Sequence, residues 1–210
     1  MDIHSVSPQT LKRLPMYLRF LTSVSTAEYP NISATAIADA LGYYDVQVRK
    51  DLASVSSGGR PKTGYITENL IKDIKKFLGY DKQKYAVLVG AGNLGHALLS
   101  YDGFKKYGLE ISAGFDTDEK LWGECIHGKE IFSPDYMEEY CRNHSITFGI
   151  IASTSKSAQD IADKLVKIGV KSILNFAPVN LKVPEDVMVE NVDIASSVVL
   201  LCCHITGTEN

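Results

Sequence analysis

The sequence predicts an α/β protein of two domains: a small helical one carrying a β wing, and a larger one built on a doubly wound parallel sheet. Three observations predict it. Charge divides by region: residues 1–84 hold 12 Lys and Arg against 8 Asp and Glu, and the remainder holds 10 against 17, in a chain of 210 residues and net charge −3. Short amphipathic segments separated by Gly-containing turns fill the first part. From Tyr85 onward, apolar runs of strand length alternate with helical ones, as a parallel sheet requires. With 45% apolar residues the chain is neither disordered nor collagen-like, and no apolar run approaches the ~20 residues of a membrane span.

In residues 8–22, Leu11, Leu14, Leu18 and Leu21 form one helical stripe, with Lys12, Arg13 and Arg19 around it and Pro15 placed to bend it. Ser33 is the expected N-cap of a helix over 34–41 that Gly42 ends. Asp45 is a second expected cap, opening a helix in which Val48 and Leu52 face inward while Gln47, Arg49 and Lys50 stay outside. Helix, Gly-containing turn and basic helix make a helix-turn-helix, whose second helix enters the major groove of DNA. The turn-rich stretch 56–65 carries Arg60 and Lys62. Composition alone allows a solvated loop or a wing laid on phosphates, and the adjoining Arg49–Lys50 pair favours the wing. Thr67 is expected to cap a last helix through Ile71, Ile74 and Leu78, closed by Gly79.

The boundary falls in residues 79–84, which divides the chain into 1–80, a DNA-binding domain, and 85–210. In the second part, Ala86-Val87-Leu88-Val89 reads as a buried strand. It runs directly into Gly90-Ala91-Gly92-Asn93-Leu94-Gly95 and a helix, and a second strand over 111–115 ends at Asp116. Strand, GxGxxG, helix and a following acidic residue form the Rossmann dinucleotide signature. Gly90 permits the tight turn, Gly92 lets backbone approach a pyrophosphate and Gly95 lets helix pack on strand. Asp116 is placed to accept from ribose hydroxyls and to repel a 2′-phosphate, which favours NAD over NADP. A Gly-rich turn without a nucleotide is the alternative. Strands over 147–152 and 172–176 and a helix from about 157 to 168 continue the alternation.

At the carboxyl end, Ile194, Val198, Leu201 and Ile205 keep helical spacing, and Val199, Leu200, Cys202 and Cys203 make the other faces apolar too. Such a helix is covered either by its own domain or by another subunit; a partner for symmetric DNA favours the second, hence a homodimer. The four cysteines lack CxxC spacing and the five histidines lack ligand periodicity, so no metal site is expected. Asp2 and His4 stand where a signal peptide needs basic and apolar residues, so the expected compartment is the reducing cytoplasm, with free thiols and no membrane. The rival to a DNA-binding sensor is an NAD-dependent oxidoreductase. For that, residues 117–210 offer no Tyr-x-x-x-Lys pair, and His127 and His144 lie in polar, loop-like surroundings, so no catalytic residue is assigned.

Several segments together resemble the Rex family of redox-sensing transcriptional repressors: residues 13–19, Gln47 to Leu52, Gly64-Tyr65, Val89 to Gly95, Phe115 to Asp118, Asn175-Phe176-Ala177-Pro178 and Asn191-Val192-Asp193. The resemblance covers nearly the whole chain. It implies an N-terminal winged helix, a C-terminal Rossmann domain with a terminal dimerisation helix, operator DNA as partner, NADH and NAD as cofactors, and release from DNA when NADH binds. It implies that Gln47, Arg49, Lys50, Arg60 and Lys62 contact DNA, and that Gly90, Ala91, Gly92, Asn93, Leu94, Gly95 and Asp116 hold the dinucleotide. Arg19, Tyr101 and Asp193 match positions of a switching network between domains and subunits. The chain departs from the family pattern at Ala53 to Ser56, at Pro61-Lys62, at Ala152-Ser153-Thr154 and at Ile194, near DNA and near the nicotinamide.

Overall fold

The computed structural model describes residues 6–24 and 26–207, with only the backbone of Ser197, Leu200 and residues 204–207. Asp2 and His4, the side chain of Ile205 in the C-terminal stripe and that of Leu200 on another face of the same helix lie outside the described residues. The chain divides into two compact units, Met1–Lys82 and Gln83–Asn210.

The first unit runs α1 (Pro8–Ser23), β1 (Asn31–Ile32), α2 (Ala34–Leu41), α3 (Asp45–Val55), β2 (Tyr65–Ile66) and α4 (Thr67–Phe77). Ser7 caps α1 through the Thr10 amide, and Pro15 is accommodated within the helix. Ser33 caps α2 through Ala36, and Gly42 ends it at φ +70°, a conformation open to glycine at little cost. Two expected caps are corrected. Asp45 is the first residue of α3, where Tyr44 is the N-cap; its carboxylate lies in the first turn and pairs with Arg49 one turn on. Thr67 likewise begins α4 rather than capping it, because its hydroxyl is drawn away to the Tyr29 carbonyl, 2.6 Å distant.

Leu14, Leu18, Leu21, Ile37, Val48, Leu52, Leu70 and Ile74 form one apolar core. Among them sits a polar exception. Asp51 on α3 is 5% exposed and receives three side chains of α1: Thr10 Oγ1 at 2.9 Å, Arg13 Nε at 2.7 Å and Nη2 at 2.9 Å, and the Tyr17 hydroxyl at 2.7 Å. Burial alone would push this carboxyl up; the hydrogen bonds from Arg13, Tyr17 and Thr10 outweigh it and hold Asp51 below the usual carboxylate range. β1 and β2 pair antiparallel, and Arg60 and Gly64 exchange backbone hydrogen bonds of 2.8 and 2.9 Å, closing a turn in which Lys62 has φ +67°.

The second unit runs β3 (Lys84–Val89), α5 (Asn93–Leu99), β4 (Leu109–Phe115), β5 (Cys125–Ile126), β6 (Lys129–Phe132), α6 (Met137–Asn143), β7 (Phe148–Ile151), α7 (Ser155–Ile168), β8 (Ser172–Asn175), β9 (Met188–Asn191) and α8 (Ile194–Gly207). Among the described residues these strands form one seven-stranded sheet in the order β5-β6-β4-β3-β7-β8-β9. All pairs are parallel except the β5–β6 hairpin at one edge. Leaving out only the antiparallel edge strand β5, the six parallel strands run in the order 3-2-1-4-5-6, a Rossmann sheet. Alternate residues of β3 enter different cores: Val87 and Val89 join Ala158, Ala162 and Leu165 of α7, while Ala86 and Leu88 join Leu99 of α5. Both faces are therefore covered, which explains the uninterrupted apolar run.

Asp51 gives the first test. Its folded carboxyl titrates below the unfolded one, so its contribution is complete above about pH 5 and fades as pH falls through and below about 4. Asp51→Asn should cost about 3 kcal/mol at neutral pH, measured by urea unfolding, and the gap to wild type should narrow below about pH 4.

Candidate functional site

The carboxyl edge of the sheet is stitched by the residues that follow each strand. Gly90 donates to the Phe115 carbonyl at 2.8 Å, Asp116 to Phe132 at 3.1 Å, Ala152 to Val89 at 2.9 Å, Phe176 to Ile151 at 2.9 Å and Val192 to Asn175 at 2.8 Å. Strand order reverses between β3 and β7, and a cleft opens there, where open α/β sheets bind ligands. Its volume is about 630 Å³ and its walls include Gly90, Gly92, Phe115, Asp116, Ala152 and Ile161. That size is ample for a nucleotide-like ligand.

Each glycine of the loop meets a different constraint. Gly90 has φ +100°, and a Cβ there would stand 2.7 Å from the Ala152 carbonyl oxygen. A Cβ on Gly95 would stand 1.9 Å from the Gly90 oxygen, whereas one on Gly92 would find nothing within 4 Å. Folding therefore forbids side chains at 90 and 95, while at 92 the absent side chain leaves open space at the mouth of the cleft. Asn93 and Leu94 begin α5 beside it. Asp116 accepts from the Ala91 amide at 2.6 Å and from the Asp118 amide at 2.9 Å, so one carboxylate ties the Gly-rich turn to the end of β4. The Trp122 indole donates to the Asp116 carbonyl at 2.7 Å; sequence reasoning gave no role to Trp122.

On the first unit, Arg49 and Lys50 are exposed on α3, and Arg60 and Lys62 are exposed in the 60–64 turn. Arg49 Nη2 lies 3.0 Å from Asp45 Oδ2 with both groups well exposed, a pair worth about 0.3–0.5 kcal/mol and easily exchanged for a phosphate. Gln47 is half-buried. Only one orientation of its amide satisfies its neighbours, with the oxygen 2.9 Å from Arg13 Nη1. The pairing of Arg13 with Asp51 was not anticipated from the sequence. The signals were present: Thr10, Arg13 and Tyr17 share one face of α1, and Asp51 stands between the inward Val48 and Leu52.

The three residues of the implied switching network lie on separate elements. Arg19 is exposed on α1. Tyr101 is 57% exposed and meets Phe104 edge-on, with centroids 5.1 Å apart. Asp193 caps α8, accepting from the amide and hydroxyl of Ser196, and those bonds hold its carboxyl below the usual range. The described side chains of α8 are solvent-facing, with Val199 at 60% and Leu201 at 64%. His144 stacks on Tyr140 at 4.0 Å, and Cys141 is buried, its thiol pushed up to about 11. Among the described residues no cluster of three or more His, Cys, Asp or Glu is placed to hold a metal, and no helix is long and apolar enough to cross a membrane.

Residues 5–53 match the family model described as "Putative DNA-binding protein N-terminus", and residues 81–179 match that described as "CoA binding domain". A protein of Treponema denticola named Redox-sensing transcriptional repressor Rex is 40% identical over 192 residues, 91% of each chain. The chain belongs to the Rex family. A second Rex, from Clostridioides difficile, is 37% identical over 94% of each chain. The crystal structure of RSP in complex with β-NAD+ and operator DNA matches with TM-score 0.92 at 34% identity, over 97% of this chain and 94% of that one. RSP in complex with β-NADH matches with TM-score 0.86 at 33% identity, over 100% and 97%. Rex proteins are named for transcriptional repression, and with that membership the oxidoreductase reading falls.

The glycines supply a paired test. Gly95→Ala should lower the unfolding midpoint sharply, because the intruding methyl meets backbone rather than a yielding side chain. Gly92→Ala should unfold within about 1 kcal/mol of wild type yet lose dinucleotide affinity, read by calorimetry.

Proposed function

We propose that this chain is a homodimeric repressor that holds operator DNA through its winged helix and lets go when NADH occupies the cleft at the β3–β7 junction. The observation that carries the reading is the pairing, in one chain, of that cleft with a helix-turn-helix whose exposed face is basic. Gly90, Ala91, Gly92, Asn93, Leu94, Gly95 and Asp116 hold the dinucleotide; the open space at Gly92 and the carboxylate at Asp116 fit a pyrophosphate and a ribose diol. The same carboxylate disfavours a phosphate on that ribose, which separates NAD(H) from NADP and from coenzyme A. Arg49, Lys50, Arg60 and Lys62 meet the DNA backbone, and Gln47 faces the bases. The compartment is the cytoplasm, where both partners are found.

Bare apolar faces on α8 support the homodimer. Val198, Val199 and Leu201 are each more than half exposed, a surface that a second copy of the helix covers by isologous packing. Arg19, Tyr101 and Asp193 change partners between the DNA-competent and the closed arrangement. A hundredfold release needs about 2.7 kcal/mol of difference in dinucleotide binding between the two arrangements. Tight binding to both would change nothing.

Fluorescence anisotropy of labelled promoter DNA tests the reading. NADH should weaken binding by roughly a hundredfold, with NAD and coenzyme A as controls; undiminished binding with saturating NADH overturns it. Asp116→Ala should weaken dinucleotide binding about tenfold or more. Asp193→Asn, which keeps the α8 cap, should hold DNA normally but respond less to NADH. Arg49→Ala should weaken DNA binding and flatten its salt dependence by about one charge.

A further inference from the structure

Asp51 occupies one side of the Arg13 fork completely, taking Nε and Nη2. On the other side the Gln47 amide oxygen accepts from Nη1 at 2.9 Å and, more distantly, from Nε at 3.2 Å. Gln47 sits in the first turn of α3, and the first turns of a recognition helix are the part that reaches base edges. A shallow groove beside it, of about 480 Å³, is lined by Val6, Thr10, Arg13, Gln47, Lys50 and Ser54.

An amide is ordinarily ambidextrous. Glutamine reads adenine by donating to N7 and accepting from the N6 amino group, which needs its oxygen turned to the base. Here a rotation that turned the oxygen outward would set the Nε2 hydrogens against those of Arg13 Nη1, donor against donor. Arg13 cannot move aside, because its other hydrogens are committed to a carboxylate that is itself buried. Gln47 is thus restricted to donating.

Resting on the reading that α3 enters operator DNA, we propose that Arg13 and Asp51 lock the Gln47 amide as a pure hydrogen-bond donor, so that Gln47 selects guanine, whose O6 and N7 are adjacent acceptors, and rejects adenine. Gln47 is the specificity-determining residue; Arg13 and Asp51 are positioning residues that touch no base. The guanine N7 and O6 accept from Nε2, while the N6 amino group of adenine at the same place meets another donor.

Selection from a pool of random DNA duplexes tests this. Wild type should enrich one guanine in each half-site, and Gln47→Ala should lose preference at that position alone, with the remaining consensus intact. Gln47→Glu, which can only accept, should exchange the guanine for cytosine. For wild-type protein, 7-deazaguanine at the selected position should reduce affinity, with a loss of about tenfold for removal of that acceptor, and the same change should not affect Gln47→Ala. Enrichment of adenine there, or an unchanged profile in Gln47→Ala, overturns the donor lock while leaving the repressor reading standing. Absence of any DNA selection overturns the repressor reading itself.

Discussion

The chain can pass from β3 into α5 only where two residues lack a Cβ. With Gly95 packed so that a side chain would sit 1.9 Å from the Gly90 oxygen, the helix starts after a turn of only three residues, 90–92. This close approach leaves the carboxyl ends of β3 and β7 uncovered and makes the cleft. Asp116 depends on the same geometry. Its bond to the Ala91 amide exists because the turn is tight enough to bring that amide to the end of β4. Size, position and electrostatic character of the site thus follow from one steric constraint.

The first unit relies on a different device. A buried ion pair is weak evidence for stability, since apolar residues of similar volume often serve as well. What the Asp51 cluster supplies is rotational definition. Val48, Leu52 and Val55 would hold α3 against the core through a range of small rotations, because apolar contact is non-directional. Four hydrogen bonds from three residues of α1 restrict that range. For a helix whose value lies in where its outward side chains point, this restriction counts for more than the energy involved.

Elements with local signatures were legible in the sequence. Ser33 and Gly42 bracket α2 because a cap and a left-handed glycine are properties of a few adjacent residues. β3, the glycine turn and β4 were legible because a central strand covered on both faces leaves a continuous apolar run. β5, β6, α6 and β9 were not read. They are four to seven residues long or shorter, and β9 in Met188-Val189-Glu190-Asn191 is a largely exposed edge strand that alternates weakly. Asp45 and Thr67 looked like caps because their residue type suits one; a competing partner, the Arg49 guanidinium or the Tyr29 carbonyl, decided otherwise. Arg13 passed as a charge beside an apolar stripe because the residue that explains it lies 38 positions away.

The terminal helix shows how the two readings meet. Asn175 is fully buried and donates to the Ala177 and Val179 carbonyls and to Asn191 Oδ1, which fixes the ends of β8 and β9 together. Two residues later Asp193 starts α8. The helix with the bare apolar faces therefore springs from the same edge of the sheet that forms the cleft at the β3–β7 junction, three strands along. Between them run the backbone bonds from Ala152 to Val89, Phe176 to Ile151 and Val192 to Asn175. Such a row is a contiguous path, but contiguity alone couples nothing; coupling needs an element with two arrangements that ligands favour unequally. α8 has the attributes of that element, because the residue pair before it is fixed at both ends, Val192 donating to Asn175 of the sheet and Asp193 capping the helix through Ser196, while the described side chains beyond are exposed.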